Sequence, residues 1–405
     1  MKTIALFDNY RDGHHFTYLT FFSKTLLEMG YLVMVFCQYP DELNKWIALN
    51  CPEHVGQIFT FKVTSVKTPS FPIIRRFYRT LNVLQQWQYA AKMIQWGASQ
   101  IGHSPDLVFF AWLDNYLSHY LTHHIIDLIF PYQWSGLYFH PTHLRTGQLL
   151  LPILRTPLSH YSVTHSSRCC GIALLDDVEV QKLKQKLNKL VITFPDFTDE
   201  STPDSNYIVI KQIKEKAGNK KIIGLLGGLT QRKGLFTLLE IAQNSIEENW
   251  FFVFAGRLYE DDLQPEQVRK VWNIIESAPP NCFFHLERIP NETQFNAVID
   301  ICDILYAVYE DFPFSSNILT KAAVFEKLVI VSERFYMGEV VKKFQMGISI
   351  PEKNMDKSIE SIQILCHHLD THNYNLKPDF EGYKYTQSVL RLREAFSLLC
   401  EKAFD

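Results

Sequence analysis

Residues 221–243 read KIIGLLGGLTQRKGLFTLLEIAQ. Lys221–Leu226 is a short, almost unbroken apolar run. A parallel strand covered on both faces needs such a run, because neither face meets water and nothing favours alternation. Gly227–Gly234 reads as a glycine-bearing loop, Leu235–Gln243 as a helix and Phe251–Ala255 as the next strand. That order predicts a βαβ unit with a right-handed crossover. Further along the chain, Cys282–His285, Ile304–Val308 and Leu328–Ser332 read as three more strands.

The start of the chain follows the same plan. Ile4–Phe7 reads as a strand, Asp8–Gly13 as a turn and His15–Met29 as a helix stopped by Gly30, a C-cap residue; Leu32–Phe36 is the next strand. Leu107–Ala111, Gly136–Phe139, Ser162–Thr164 and Ile172–Leu174 are further expected strands, with helix over Phe71–Gly97 and Asp177–Leu190. Between the halves lies VITFPDFTDESTPDSNY (191–207), whose Pro, Asp, Ser and Thr mark a linker near Asp196–Asn206. At 405 residues, the chain exceeds the roughly 250–300 at which a single core stops growing. The expected architecture is α/β: two facing Rossmann-like domains with parallel sheets and a cleft between them. The domains are placed at 1–200 and 201–383. A terminal helix within 384–405 (Tyr385–Phe404) is expected to pack back towards the first domain.

Composition narrows the function classes. Apolar residues make up 47% and charged residues 20%, with a net charge of -3. That balance supports globular cores and gives no reason to propose nucleic-acid binding. The eight cysteines are scattered without a C-x-x-C pair, and Cys169 and Cys170 are adjacent. This suits buried thiols in a reducing, cytoplasmic setting better than disulfides or a metal clip. The opening apolar run ends at Asp8, too short for a signal peptide, and no run of 18 apolar residues exists to span a membrane.

Two places carry candidate chemistry. In GGLTQRKG (227–234), glycines let backbone approach a ligand, and the helix beyond offers free N–H groups. Arg232 and Lys233 add positive charge, a combination that suits a diphosphate. The plain alternative is a glycine turn with two solvated cations. In YEDFPFSSNILTKAAVF (309–325), Ser315, Ser316 and Asn317 stand where a helix begins after a strand. They cap that helix, and their hydroxyls and N–H groups also suit phosphate oxygens. Both places follow strand carboxyl ends, where open parallel sheets bind ligands, and this favours a phosphate-bearing ligand.

Those motifs, in order and spacing, resemble the donor domain of glycosyltransferase family 4, a group of GT-B enzymes. The pieces are PDFTD at 195–199, GLLGGLTQRKG, FVFAG, FFHLERIPNETQFNAVIDICDILYAVYE, KAAVFEKLVIVS and GEVVKKFQMGISI. They cover most of 190–350. The resemblance implies that Lys233 binds the donor diphosphate and that Gly228 stands where the family has an arginine, a role left to Arg232. It implies that Glu310 is the first acid of the family's paired-glutamate motif. The second acid, which holds the donor ribose, falls on Lys321. Glu287, Arg288 and Ile289 fall where the nucleotide base is contacted, largely through backbone. The first half is similar to the family's acceptor domain, more loosely. Gly13, His14 and His15 fall in its loop facing the donor. His140 matches a cleft histidine, although a lone histidine is more often structural, and Asp114 is a second cleft candidate whose alternative is a helix cap.

The resemblance implies transfer of a sugar, a hexose, from a nucleotide diphosphate-sugar to an acceptor hydroxyl with retention. No cofactor and no metal are expected, since Lys233, Arg232 and a helix N-terminus supply positive charge for the leaving diphosphate. The expected partners are the donor and a glycan or lipid-linked acceptor. Phe71–Gly97, with Arg75, Arg76 and Arg79 among Phe71, Phe77, Tyr78, Trp87 and Trp96, also suits peripheral contact with an anionic membrane. Its more favoured alternative is an amphipathic core helix. Two other classes stay open: a GT-B protein that binds nucleotide or glycan without catalysis, and a nucleotide-sugar epimerase. A redox role is disfavoured, because no G-x-G-x-x-G follows either first strand.

Overall fold

The computed structural model describes residues 1–10, 15–66, 75–118, 121–141, 163–371 and 376–405, and for 75–79 the backbone alone. The chain divides into two compact units, Met1–Pro195 with Ser388–Asp405, and Asp196–Gln387.

The first unit is built on a seven-stranded sheet. Its strands are Thr3–Phe7 (β1), Leu32–Cys37 (β2), Ile58–Lys62 (β3), Leu107–Phe110 (β4), Trp134–Leu137 (β5), Cys169–Leu174 (β6) and Leu190–Thr193 (β7). The order is β3-β2-β1-β4-β5-β6-β7, and every pairing is parallel. Its helices are His15–Glu28 (α1), Pro40–Asn50 (α2), Arg75–Ile101 (α3), His123–Ile129 (α4) and Asp177–Lys184 (α5). β1 is buried along its whole length and is flanked on both sides, with Ile4 opposite Val33 and Leu107.

The second unit is built on a six-stranded sheet. Its strands are Lys221–Leu226 (β8), Trp250–Ala255 (β9), Cys282–His285 (β10), Ile304–Ala307 (β11), Leu328–Ser332 (β12) and Gly347–Ile350 (β13). The order is β10-β9-β8-β11-β12-β13, again all parallel. The helices are Ile208–Ala217 (α6), Leu235–Asn244 (α7), Pro265–Glu276 (α8), Glu292–Ile301 (α9), Asn317–Val324 (α10), Phe335–Phe344 (α11), Met355–Thr371 (α12) and Phe380–Thr386 (α13). Val389–Phe404 (α14) belongs to the first unit, where it packs on α1, β6 and β7.

Two faces of the first sheet explain its aromatic content. On one, α3 buries Val83, Trp87, Ala90 and Ile94, a helical stripe, and the Trp87 indole donates to the Tyr116 carbonyl at 2.9 Å. On the other, Phe396 of α14 meets Phe22, Phe109 and Phe194 at 5.0–5.3 Å between ring centres. These are edge-on contacts, which aromatic quadrupoles favour. Leu81 and Trp96 lie exposed on α3. Among the described residues no helix is long and apolar enough to cross a membrane. All eight cysteines are buried thiols, and burial pushes Cys37, Cys169 and Cys302 up to about 12.

Several expected elements shift. The strand expected at Gly136–Phe139 lies two residues earlier, because the buried run begins at Trp134 and the paired residues end at Leu137, opposite Ala173. In place of a strand at Ser162–Thr164 there is a single 3-10 turn over Val163–His165. The helix expected to reach Leu190 ends at Lys184, and Leu190 starts β7. The helix expected from Tyr385 is two helices, separated at Gln387 and Ser388; the Ser388 side chain caps α14 by accepting from the Arg391 N–H at 3.3 Å. Phe71 falls outside the described residues.

Phe396→Ala should destabilise the first unit by about 3–5 kcal/mol, the usual cost of a large cavity in an aromatic core. Denaturant unfolding followed by intrinsic fluorescence checks it.

Candidate functional site

A parallel sheet places all its strand carboxyl ends on one edge. Ligands bind where the strand order reverses, since there the following loops diverge and leave a crevice. In the second unit that point lies between β8 and β11.

The loop after β8 is held tightly there. Gly227 donates to the Ala255 carbonyl at 2.9 Å and Leu229 to that of Arg257 at 2.8 Å, so the loop continues alongside the chain leaving β9. Gly256 has a φ of +136°, and a Cβ on it would lie 1.9 Å from the Gly227 oxygen. Gly234, at φ +78°, starts α7, and a Cβ there would press on the Val308 carbonyl at 2.8 Å. Only glycine permits this approach of backbone to backbone.

The loop after β11 joins it. The Glu310 N–H donates to the Arg232 carbonyl at 2.7 Å. The Arg232 guanidinium lies 4.5 Å from the Phe312 ring centre, and the Lys233 ammonium 5.4 Å from that of Tyr309. Arg232 is exposed and Lys233 half-buried; among the described residues the Lys233 ammonium makes one long hydrogen bond, 3.4 Å, to the Leu226 carbonyl. The Glu310 carboxylate is paired with Lys353 at 3.0 Å. Gly228 packs against the Tyr259 ring. The structure thus brings Gly228, Arg232, Lys233 and Glu310 into one contiguous group.

Ser315, Ser316 and Asn317 stand at the start of α10, and two of their three side chains face the protein. The Ser315 hydroxyl donates to the Asp196 carboxylate at 2.5 Å. The Asn317 amide donates to the Phe197 carbonyl at 3.0 Å and accepts from the Thr198 hydroxyl at 2.8 Å. Thr320 adds a bond to the Asp196 carbonyl at 2.7 Å. The expectation that the Ser315 and Asn317 side chains hold phosphate is therefore corrected: they fasten α10 to residues 196–198. Ser316 makes no side-chain cap, although its carbonyl accepts from the Leu319 N–H at 2.9 Å, and the start of the helix carries the positive end of its dipole.

Lys321 needs a second correction. Its side chain is 1% exposed. Its ammonium donates to the Asp199 carbonyl at 2.8 Å, to Glu292 at 2.8 Å and to the Asn296 side-chain oxygen at 2.5 Å. An ammonium has three N–H donors, and all are used inside the protein, so Lys321 has none to offer a ribose. After β10, Glu287 and Arg288 are exposed, while the Ile289 side chain is buried in the core. Burial holds His285, beside the Tyr207 hydroxyl at 3.3 Å, below the usual histidine range, with Glu287 opposing.

In the first unit the strand order reverses between β1 and β4. Asp114, after β4, uses both carboxylate oxygens on the N–H groups of Phe139 and His140, at 2.8 and 2.7 Å. It therefore fixes the chain leaving β5, and His140 stands beside it with its ring exposed. His15 begins α1 and is buried. Its Nδ1 lies 2.7 Å from Asp8, and its ring stacks on Trp112 at 4.2 Å. Burial raises the Asp8 carboxyl above its ordinary range, against the lowering by His15. Gly13 and His14 fall outside the described residues. Sequence reasoning missed Asp8, whose signal was its place directly at the end of β1. It also missed Glu292 and Asn296, which Lys321 engages from another helix.

The chain has the GT-B fold. It is similar over 98% of its length to 98% of HepE from Anabaena, solved with UDP and glucose, at TM-score 0.61 and 12% identity. Sucrose-phosphate synthase from Thermosynechococcus elongatus matches at TM-score 0.64 and 14% identity, over 99% of this chain and 97% of that one. The trehalose-phosphate synthase (UDP-forming) of Burkholderia vietnamiensis matches at 0.64 and 10%, over 98% and 96%. More particularly, residues 207–374 match the family described as glycosyl transferases group 1. No curated protein matches the sequence.

Lys321→Ala should cost about 1–3 kcal/mol in stability, because it leaves the buried Asn296 oxygen and the Asp199 carbonyl without their shared donor, while the exposed Glu292 carboxylate regains water. Urea unfolding of the variant measures this. A loss under about 1 kcal/mol would instead match an exposed ion pair.

Proposed function

We propose that this protein is a glycosyltransferase. It moves a hexosyl group from a nucleotide diphosphate-sugar to an acceptor hydroxyl, with retention and without a metal or other cofactor. The observation that carries the reading is the glycine loop after β8, which presents Lys233 and Arg232 at the point where the sheet order reverses. The match of 207–374 to glycosyl transferases group 1 and the UDP and glucose bound by HepE support it.

In this reading the diphosphate lies over the loop. As the bond from the anomeric carbon to the phosphate oxygen breaks, negative charge builds on the leaving group. Preorganised donors aimed at that charge lower the barrier, and they do so without reorganising at the moment of reaction. Lys233 is suited to this because its ammonium sits half-buried beside backbone and keeps donors to spare. Arg232 is steadied by Phe312 and presents a planar fork to oxygens. The start of α10 adds backbone N–H groups and a positive dipole end. With this charge in place the proposal needs no metal. Glu310, oriented by Lys353, takes hydroxyls of the donor sugar. Glu287–Ile289 lie by the base.

The acceptor, a glycan or lipid-linked glycan, is assigned to the first unit, near His15, His140 and Asp114 after β1, β4 and β5. Peripheral membrane contact through 71–97 belongs to the same reading, with Leu81 and Trp96 exposed on α3.

A thermal-shift panel of UDP, GDP, ADP and CDP, with and without magnesium, tests the donor site. One nucleotide at about 100 times its dissociation constant should add about 2.7 kcal/mol of stability. Lys233→Ala should remove most of that shift and lower turnover of the matching nucleotide-sugar by about 10²–10³. Wild-type binding and turnover in the variant would remove Lys233 from the mechanism. A shift without turnover would favour the non-catalytic binder, and conversion of the nucleotide-sugar without an acceptor would favour an epimerase.

A further inference from the structure

The ion pair around Lys321 has no part in the reaction so far. Its exposed member is Glu292, the first residue of α9. Helices that follow strands in a parallel sheet begin at the carboxyl edge, and α9 packs on β8 and α10. Glu292 therefore stands on the same edge as the glycine loop. Its Oε2 accepts from the buried Lys321 ammonium at 2.8 Å. Its side chain is 41% exposed, and Oε1 has no partner among the described residues.

Such a carboxylate is an acceptor of fixed direction: one oxygen is anchored to a buried cation and the other meets solvent. Lys321 is itself anchored by the Asp199 carbonyl and by Asn296, which lies one turn along α9. Repulsion excludes an anion at Oε1, and the neutralised pair draws cations weakly. A neutral hydroxyl donor fits best, because carboxylates accept from vicinal hydroxyls strongly and without a counter-charge. In Rossmann-like sites an acid near the ligand's edge takes the ribose in this way. The two candidate acids also sit apart: Glu310 is tied to Lys353 beyond β13, whereas Glu292 lies with α9 over β8.

We infer that Glu292, held by Lys321, accepts the ribose hydroxyls of the nucleotide and selects ribonucleotides over deoxyribonucleotides. The inference rests on the reading of the second unit as a nucleoside diphosphate site.

Calorimetric titration of the full chain with UDP, GDP and ADP and with their 2′,3′-dideoxy counterparts tests it, for wild type and Glu292→Gln. Glutamine keeps an oxygen for Lys321, so the ammonium stays paired. Wild type should bind its preferred ribonucleotide at least about tenfold tighter than the dideoxy form, and the variant should bring that ratio close to one. Glu292→Asp, which keeps the charge but draws it back, should give an intermediate ratio. Each ratio is read within one protein, so partial loss of fold does not imitate the effect. A ratio unchanged in Glu292→Gln, or equal binding of both forms by wild type, overturns the inference and leaves the proposed function standing. No binding of any nucleotide by wild type overturns the proposed function, and the inference with it.

Discussion

Parallel pairing is the constraint on which everything else depends. Each strand must be followed by a crossover that returns over the sheet, so every loop after a strand emerges at the same edge. Strands flanked on both sides and covered on both faces become uniformly apolar, as β1 and β9 are. Polar chemistry is thereby pushed out of the sheets and onto that edge. Lys233, Glu310 and Glu292 in the second unit, and His15, Asp114 and His140 in the first, all lie just past strand ends or at helix starts. Their clustering follows from the pairing rule and needs no separate explanation.

The fold was legible because this rule writes itself into the sequence. KIIGLL, CFFH and LVIVS are unbroken or nearly unbroken apolar runs, and each is a strand at the bounds read from them. The elements missed are those where the rule weakens. IFTFK is β3, an edge strand with only one residue buried, so it has no such run to show. GISI is β13, the edge of the other sheet, likewise half-buried. Trp134–Leu137 was read two residues late because SGLYF continues apolar beyond the ladder, and sequence cannot say where pairing stops.

The candidate site was legible where a residue's setting is local. The glycines and cations of 227–234 sit on one turn, and their contacts to 308–312 follow once β11 lies beside β8. It was illegible where a side chain's partner is remote. Ser315 and Asn317 look like free polar groups at a helix start, yet their partners are 119 and 120 residues away. Lys321 looks like a surface cation, yet it is buried and its partners lie 122, 29 and 25 residues away. No periodicity reports such pairings, because they depend on which helix faces which segment after folding.

The same remote bonds give segment 196–199 more than a linker's role. A flexible connection would leave its backbone solvated. Here the carbonyls of Asp196, Phe197 and Asp199 each accept from a side chain of α10, through Thr320, Asn317 and Lys321 respectively. Three such bonds from one face of a short helix, at i, i+3 and i+4, fix its position against the segment, and with it the N–H groups at its start. A buried ammonium is a costly way to do this unless every donor is met, and each of its donors is. Position 321 thus holds a cation turned inward, and the carboxylate it holds, Glu292, stays half-exposed at the start of its own helix.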